Sequence, residues 1–389
     1  MKRRSFLKTV GAASLAVGVT PAWSVPHSAD QQTRNSSSSD AQKPEQASPE
    51  KILLKDYRPK SLYKIPITEV SKAKFPIIDM HSHAYAKTPE EIAEWVRNMD
   101  EVGIEKTILL TETSRQEFTD AQRKFAGYPG RFEIWCGFDY TGYDQRGFGP
   151  EAIRALERCH QAGAGGVGEL HDKGKGLVSR SVNAFGMHPD DARMDSLFER
   201  CGQLGLPVSI HVADPIWMYE PMDNTNDGLM NAFHWRLDNQ PNIVGHSGMI
   251  DILERTVKKH SNTTFMACHF ANLDYDLVRL GQVLERHSNL YADISARYAE
   301  TAPIPRFAAK FYAKYADRLL YGTDMGFEKE MYRVTFRVLE TWDEHFYEHE
   351  MFGYHWSLNG FGLPDEILRK VYRTNAEKIL NFRGSPVQT

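Results

Sequence analysis

Eight short apolar runs, spaced along the chain and separated by helical patterns, constrain its fold more than any other feature. They are Phe75–Met80, Ile104–Leu110, Phe132–Asp139, Gly165–Leu170, Leu206–Val212, Thr263–Phe270, Leu290–Ser295 and Arg318–Thr323. Runs this short and this apolar fit strands buried on both faces, the condition of a parallel sheet. Between them the periodicity predicts helices over Thr88–Gly103, Pro150–Ala162, Asp191–Leu204, Asp251–Lys259, Asp274–His287 and Phe307–Tyr315. Thr88 is placed to cap the first, with Pro89 in its first turn, and Ile153, Leu156 and Cys159 share one face of the second. Pro364–Phe382 closes the chain as an amphipathic helix. Eight strands alternating with helices favour an α/β fold of the (β/α)8 TIM-barrel type over a doubly wound sheet. Residues 213–262 are too long for a plain connection and form an insertion between the fifth and sixth strands.

The barrel does not begin at Met1. Lys2-Arg3-Arg4-Ser5-Phe6-Leu7-Lys8 is a charged start with a twin arginine, followed by an apolar run from Thr9 to Trp23 too short to span a bilayer. This resembles a twin-arginine export signal, assigned to residues 1–29. It implies the twin-arginine translocation machinery as a transient partner, a periplasmic or otherwise exported destination, and no stable membrane anchor. Residues 30–50 are polar and Ser-rich and are expected to be a disordered linker. Residues 51–389 are expected to make the barrel domain. The net charge of −4 becomes about −8 once the basic leader is removed, which gives no reason to expect nucleic acid as a partner. Cys136, Cys159, Cys201 and Cys268 lack C-x-x-C spacing and lie in apolar patterns, so buried free thiols are expected.

In such a barrel the active site lies where the strands end. His81 and His83, two apart at the end of the first strand, point the same way. Glu169 ends the fourth strand, His211 the fifth and His269 the sixth, and Asp324 follows the eighth. Neutral imidazoles with carboxylates suit zinc and similar divalent ions.

Here the sequence resembles the amidohydrolase superfamily, in the branch called amidohydrolase family 2. The likeness covers Phe75 to Phe382 and rests on five short motifs. They are Asp79-Met-His-Ser-His83, Ser209-Ile-His-Val212, Ala267-Cys-His-Phe270, Tyr321-Gly-Thr-Asp324 and Tyr372-Arg-Thr-Asn-Ala-Glu-Lys-Ile-Leu380. It implies that His81, His83, His211 and Asp324 ligate a divalent metal, with zinc the first choice. It also implies His269 as a ligand of a second ion or a partner of substrate and water. Gly168-Glu169 is similar to an element of binuclear relatives in which a glutamate bridges two ions; the alternative is a barrel-mouth acid paired with Lys173 or Lys175. One or two ions are both open. Asp324 is expected to move the proton of a metal-activated water.

On the substrate side, Arg297 after the seventh strand fits a bidentate hold on a carboxylate or a surface salt bridge. Trp217 and Tyr219 in the insertion are candidate substrate contacts, and the insertion is either a lid or pocket wall or a unit with its own small core. The expected activity is an exported metal-dependent hydrolase cleaving a C–N, ester or lactone bond of a small polar substrate. The alternative is a metal-dependent non-oxidative decarboxylase of a small carboxylic acid.

Overall fold

The computed structural model of the protein describes residues 48–381. The expected leader and residues 30–47 of the expected linker lie outside the described residues, as does Phe382. Pro49–Lys51 forms an exposed turn of 3-10 helix.

Ten strands follow: β1 (Ile77–Ser82), β2 (Ile104–Leu110), β3 (Phe132–Trp135), β4 (Val167–Asp172), β5 (Gly176–Val178), β6 (Asn183–Phe185), β7 (Val208–Val212), β8 (Phe265–Ala267), β9 (Leu290–Asp293) and β10 (Leu319–Leu320). β1, β2 and β3 pair in parallel, and so do β4, β7, β8, β9 and β10 in that order. Main-chain bonds join the two sets at both edges. Cys136 N donates to Gly166 O (3.0 Å) and Gly168 N to Cys136 O (2.7 Å), linking β3 to β4. Met80 N donates to Tyr321 O (2.9 Å) and Thr323 N to His81 O (3.0 Å), linking β1 to the end of β10. The eight parallel strands thus close into a (β/α)8 barrel. Each falls within or overlaps one of the eight apolar runs.

The β5–β6 hairpin hangs from β4 and went unread in the sequence. Gly176 has φ +116, and a Cβ there would meet Ala184 O at 2.4 Å, so the hairpin requires glycine at that point. Helices Arg115–Phe125 and Lys329–Glu340 also went unread in the sequence. All four cysteines are free and buried.

The seam between β1 and β10 is reinforced inside and out. Inside, fully buried Asp79 accepts from His81 N (3.2 Å), Thr323 N (3.1 Å) and the Thr323 hydroxyl (2.7 Å). Outside, helix Pro89–Val102 is started by a capping box between Thr88 and Glu91. Its Trp95 is fully buried, stacks on Phe327 at 5.1 Å and donates from Nε1 to Tyr332 OH (3.0 Å) on helix Lys329–Glu340. These two helices therefore grip each other over the strands they flank. Removing the Thr323 hydroxyl leaves a buried carboxylate short of a donor, at a cost of about 1–3 kcal/mol. Thr323→Val should lower the unfolding free energy by about that amount in a urea titration; an unchanged midpoint would show that Asp79 does not hold the seam.

Candidate metal centre

Six side chains from five strand ends converge at the carboxyl end of the barrel. Glu169 stands at their middle. Its Oε1 lies 2.6 Å from His211 Nδ1, 3.6 Å from His269 Nε2 and 3.7 Å from His81 Nε2. Its Oε2 lies 3.4 Å from His83 Nε2. Asp324 faces the same space from the other side, with Oδ1 3.2 Å from His83 Nε2 and Oδ2 3.7 Å from His269 Nε2 and 3.9 Å from His81 Nε2. The structure thus brings His81, His83, Glu169, His211, His269 and Asp324 together. Glu169 is not paired with Lys173 or Lys175: Lys173 binds Asp214 (2.8 Å) and Lys175 binds Gln240 Oε1 (2.7 Å).

The imidazoles are aimed by what holds their outer nitrogens. His83 Nδ1 donates to Leu110 O (2.8 Å) and His269 Nδ1 to Ser295 O (2.9 Å). A carbonyl cannot donate, so Nδ1 carries the proton and Nε2 of the neutral ring offers a lone pair to the centre. His81 Nδ1 donates to Asp293 Oδ2 (3.0 Å). Its Nε2 is buried without a hydrogen-bond partner, an unpaid desolvation cost that a bound cation would remove. The donor set, three such nitrogens plus His211 and two carboxylates, fits a divalent metal centre, and triads drawn from it lie within ligand distance of one another.

The electrostatics ask for positive charge. Burial opposes a charge on His81, yet Asp293, Asp324 and Glu169 outweigh it and push its pKa up to about 9. Burial also opposes ionisation of Asp324 and Glu169, but the imidazoles around each hold both carboxyls well below the usual carboxylate range. His269 goes the other way: burial, then Arg297 and His211, push it down to about 4, so its ring is neutral.

The backbone here is strained. Glu112, Ala213, Ala296 and Asp324 all have φ between +50 and +61, and His269 to Asn272 form four successive left-handed residues with φ between +54 and +57. Each costs roughly 1–2 kcal/mol. Asn272 anchors the run, donating from Nδ2 to Val212 O (2.9 Å), accepting His246 Nε2 at its own carbonyl (2.8 Å) and accepting Arg297 Nη2 at Oδ1 (2.6 Å).

The centre opens into a cavity of about 150 Å³. His211, His269 and Asp324 form one side, Lys173, Asp214, Arg297 and Glu300 a charged wall, and Met218, Trp235, Phe352 and Tyr354 an apolar one. The insertion therefore serves as pocket wall through Asp214, Met218 and Trp235. Arg297 is buried against Asn272, Asp274 and Glu300 and is no surface salt bridge. Trp217 and Tyr219 do not line this cavity. Trp217 packs on Trp356 at 5.8 Å and Tyr219 on His246 at 5.5 Å, one layer behind. They were chosen as aromatics in the insertion, but it is Met218 between them that faces inward.

Sequence reasoning missed Asp293, Ser295, Asn272 and Tyr85, whose hydroxyl donates to Asp324 Oδ1 (2.7 Å). Asp293 lies at the end of an apolar strand, and a buried acid there was the available signal. Besides holding His81, it accepts from His269 N (3.0 Å) and Ser295 N (3.0 Å). Asp293→Asn should weaken retention of a divalent cation about 10–100-fold in competition with a chelator. Retention within twofold of the parent would mean that Asp293 orients nothing that binds metal.

No curated protein matches the sequence. Among solved structures, a dihydroxybenzoic acid decarboxylase from Polaromonas sp. JS666, with bound manganese and the inhibitor 2-nitroresorcinol, aligns with a TM-score of 0.52 at 16% identity, covering 81% of this chain and 100% of that one. A putative amidohydrolase from Staphylococcus aureus aligns with a TM-score of 0.50 at 15% identity, covering 79% and 100%. These likenesses concern the fold. The family model, described as amidohydrolase, matches residues 78–382, and the chain belongs to that family, the second amidohydrolase branch.

Proposed function

We propose that the protein is an exported metal-dependent hydrolase that cleaves a C–N, ester or lactone bond of a small polar substrate. The observation that carries this reading is the position of Glu169. One of its oxygens faces His211, His269 and His81 and the other faces His83, so a single carboxylate borders both halves of the donor set. Six donors sharing one central carboxylate exceed the needs of one tetrahedral ion and suit two. Divalent cations held there, zinc in first choice, would supply Lewis acidity, making water nucleophilic near neutral pH and polarising the scissile carbonyl.

The chain's own residues would do the rest. Asp324 is held ionised by its imidazole neighbours and steadied by the Tyr85 hydroxyl, so it can take the proton of the attacking water and return it to the leaving group. His269, neutral and fixed through Ser295, presents Nε2 to the reacting centre. Arg297, oriented by Asn272, offers a cation to an anionic or carbonyl group of the substrate. The 150 Å³ cavity sets the scale of what enters.

A decarboxylase is the second reading, favoured by one observation: Arg297 and Lys173 both line the cavity, two cations where a substrate carboxylate would sit. The structural neighbour from Polaromonas is named as such an enzyme. Product mass from a panel of small amides, lactones and carboxylic acids separates the two. Gain of water supports the hydrolase; loss of CO₂ sinks it. Glu169→Gln should drop the bound metal from about two equivalents to about one by elemental analysis, and unchanged stoichiometry would remove Glu169 from the metal site.

Export rests on the Lys2–Lys8 segment with its Arg3-Arg4 pair. Replacing both arginines with lysine should leave the protein in the cytoplasmic fraction, and normal secretion of that variant would refute the twin-arginine route to the periplasm.

A further inference from the structure

Residues 52–67 cross the outside of the barrel as an arm with little to hold it. Leu62 is 91% exposed, Ile67 73% and Tyr63 67%, preceded by exposed Ile52, Leu53 and Tyr57. No backbone–backbone hydrogen bond involves residues 60–67 among the described residues. The arm touches the body through side chains of one segment. His349 Nε2 donates to Pro59 O (2.9 Å), His345 Nδ1 lies 3.2 Å from Ser61 Oγ, and Thr68 N and Oγ1 donate to Asp343 (3.0 and 2.6 Å). Trp342, next in the chain to Asp343, is 77% exposed as well. So many exposed apolar side chains within one short segment mark an interaction site.

The charges on this face are also unpaired. Between 51 and 67 the arm carries Lys51, Lys55, Arg58, Lys60 and Lys64 against Asp56 alone, a surplus of four. With the leader contributing +4 and residues 30–50 contributing −2 to the overall −4, residues 68–389 are left at −10. None of the five cations forms an ion pair among the described residues. In the segment beneath, Glu344, Glu348 and Glu350 form none either. Unpaired cations and exposed apolar side chains on the arm therefore stand beside a segment that carries the exposed, unpaired carboxylates of Glu344 and Glu350.

We propose that this face binds a second copy of the chain, each cationic arm lying on the acidic 343–350 segment of the other. A two-fold contact requires a patch complementary to itself, which an all-basic or all-acidic surface is not. An anionic lipid surface would suit the arm but would repel the acidic body and the carboxylates beside it. The segment beneath the arm leads straight into Met351–Tyr354, which line the cavity of the metal centre. A dimer formed here would bear on the roof of the active site.

Light scattering on the purified full chain at micromolar concentration should give twice the mass of one chain, falling towards one as salt rises. Leu62→Glu with Ile67→Glu should raise the dimer dissociation constant about tenfold or more, with an unchanged far-UV circular dichroism spectrum because both side chains are exposed. Lys60→Glu with Lys64→Glu should weaken the dimer as well, and adding Glu344→Lys with Glu350→Lys should restore it. A single-chain mass throughout overturns the proposal, as does a dimer indifferent to all of these changes. A single-chain mass together with co-sedimentation on phosphatidylglycerol vesicles would assign the arm to a lipid surface instead.

Discussion

The candidate metal centre depends on the seam between β1 and β10. His81 and His83 leave the first barrel strand and Asp324 follows the last, so they are near neighbours only because the barrel closes. Asp79 lies at the middle of that closure, accepting from His81 N on one side and Thr323 on the other. The same few atoms therefore fix the register of the outer strands and the position of the ligands they carry. The outer grip of Trp95 on Phe327 and Tyr332 adds apolar burial to a junction otherwise made by hydrogen bonds. Closure also gathers three buried carboxylates, Glu169, Asp293 and Asp324, around His81. Burying like charges together is costly unless positive charge joins them. The pull on the imidazole of His81 and the orphaned lone pair of its Nε2 are two expressions of that demand.

Strain is concentrated on the same rim. Residues just past five strand ends adopt left-handed backbone conformations, and four of them in succession carry His269 to Asn272. A total of several kcal/mol is offset locally, by Asp293 and Ser295 on the His269 side and by the amide of Asn272 on the other. The turn directs His269 Nε2 into the centre and places Asn272 under Arg297. One strained segment thus sets both a candidate ligand and the cation of the substrate wall. Ala271 lies inside it with no side chain to hydrogen-bond, so its conformation is imposed entirely by neighbours.

What could be read from the sequence follows from this division of labour. Alternation of apolar runs with helical periods is a local signal, and it located all eight barrel strands. Strand-end histidines and acids were legible because barrel topology says where strand ends meet. The supports were not legible, because nothing near Asp293 or Ser295 in sequence names His81 or His269 as a partner; only the closed barrel does. Trp217 and Tyr219 show the opposite failure. Aromatic character is a weak guide to facing a pocket, and in the insertion those rings pack on Trp356 and His246 while Met218 turns inward. The hairpin Gly176–Phe185 was not legible because its strands are three residues each, and Gly176 at its start serves a close approach to Ala184 that no local pattern announces.

The segment after helix Lys329–Glu340 ties these layers together. Asp343 receives Thr68, which follows the arm, and Arg337 of that helix (2.8 Å), while farther along Tyr354 donates to Glu300 Oε1 (2.8 Å) and accepts Asn231 Nδ2 from the insertion (3.0 Å). Glu300 in turn borders Arg297 at 3.8 Å. A continuous path of contacts therefore runs from the exposed arm, along residues 343–354, to the cation that faces the metal centre. Contact alone does not establish coupling. The path does mean that the roof of the cavity is built from surface segments whose positions are not fixed by the barrel. Side chains such as Tyr354, Glu300 and Asn231 hold the roof, whereas the ligands below are held by the strands. Substrate fit and metal retention should accordingly respond to different parts of the chain: the first to the roof and the surface behind it, the second to the seam.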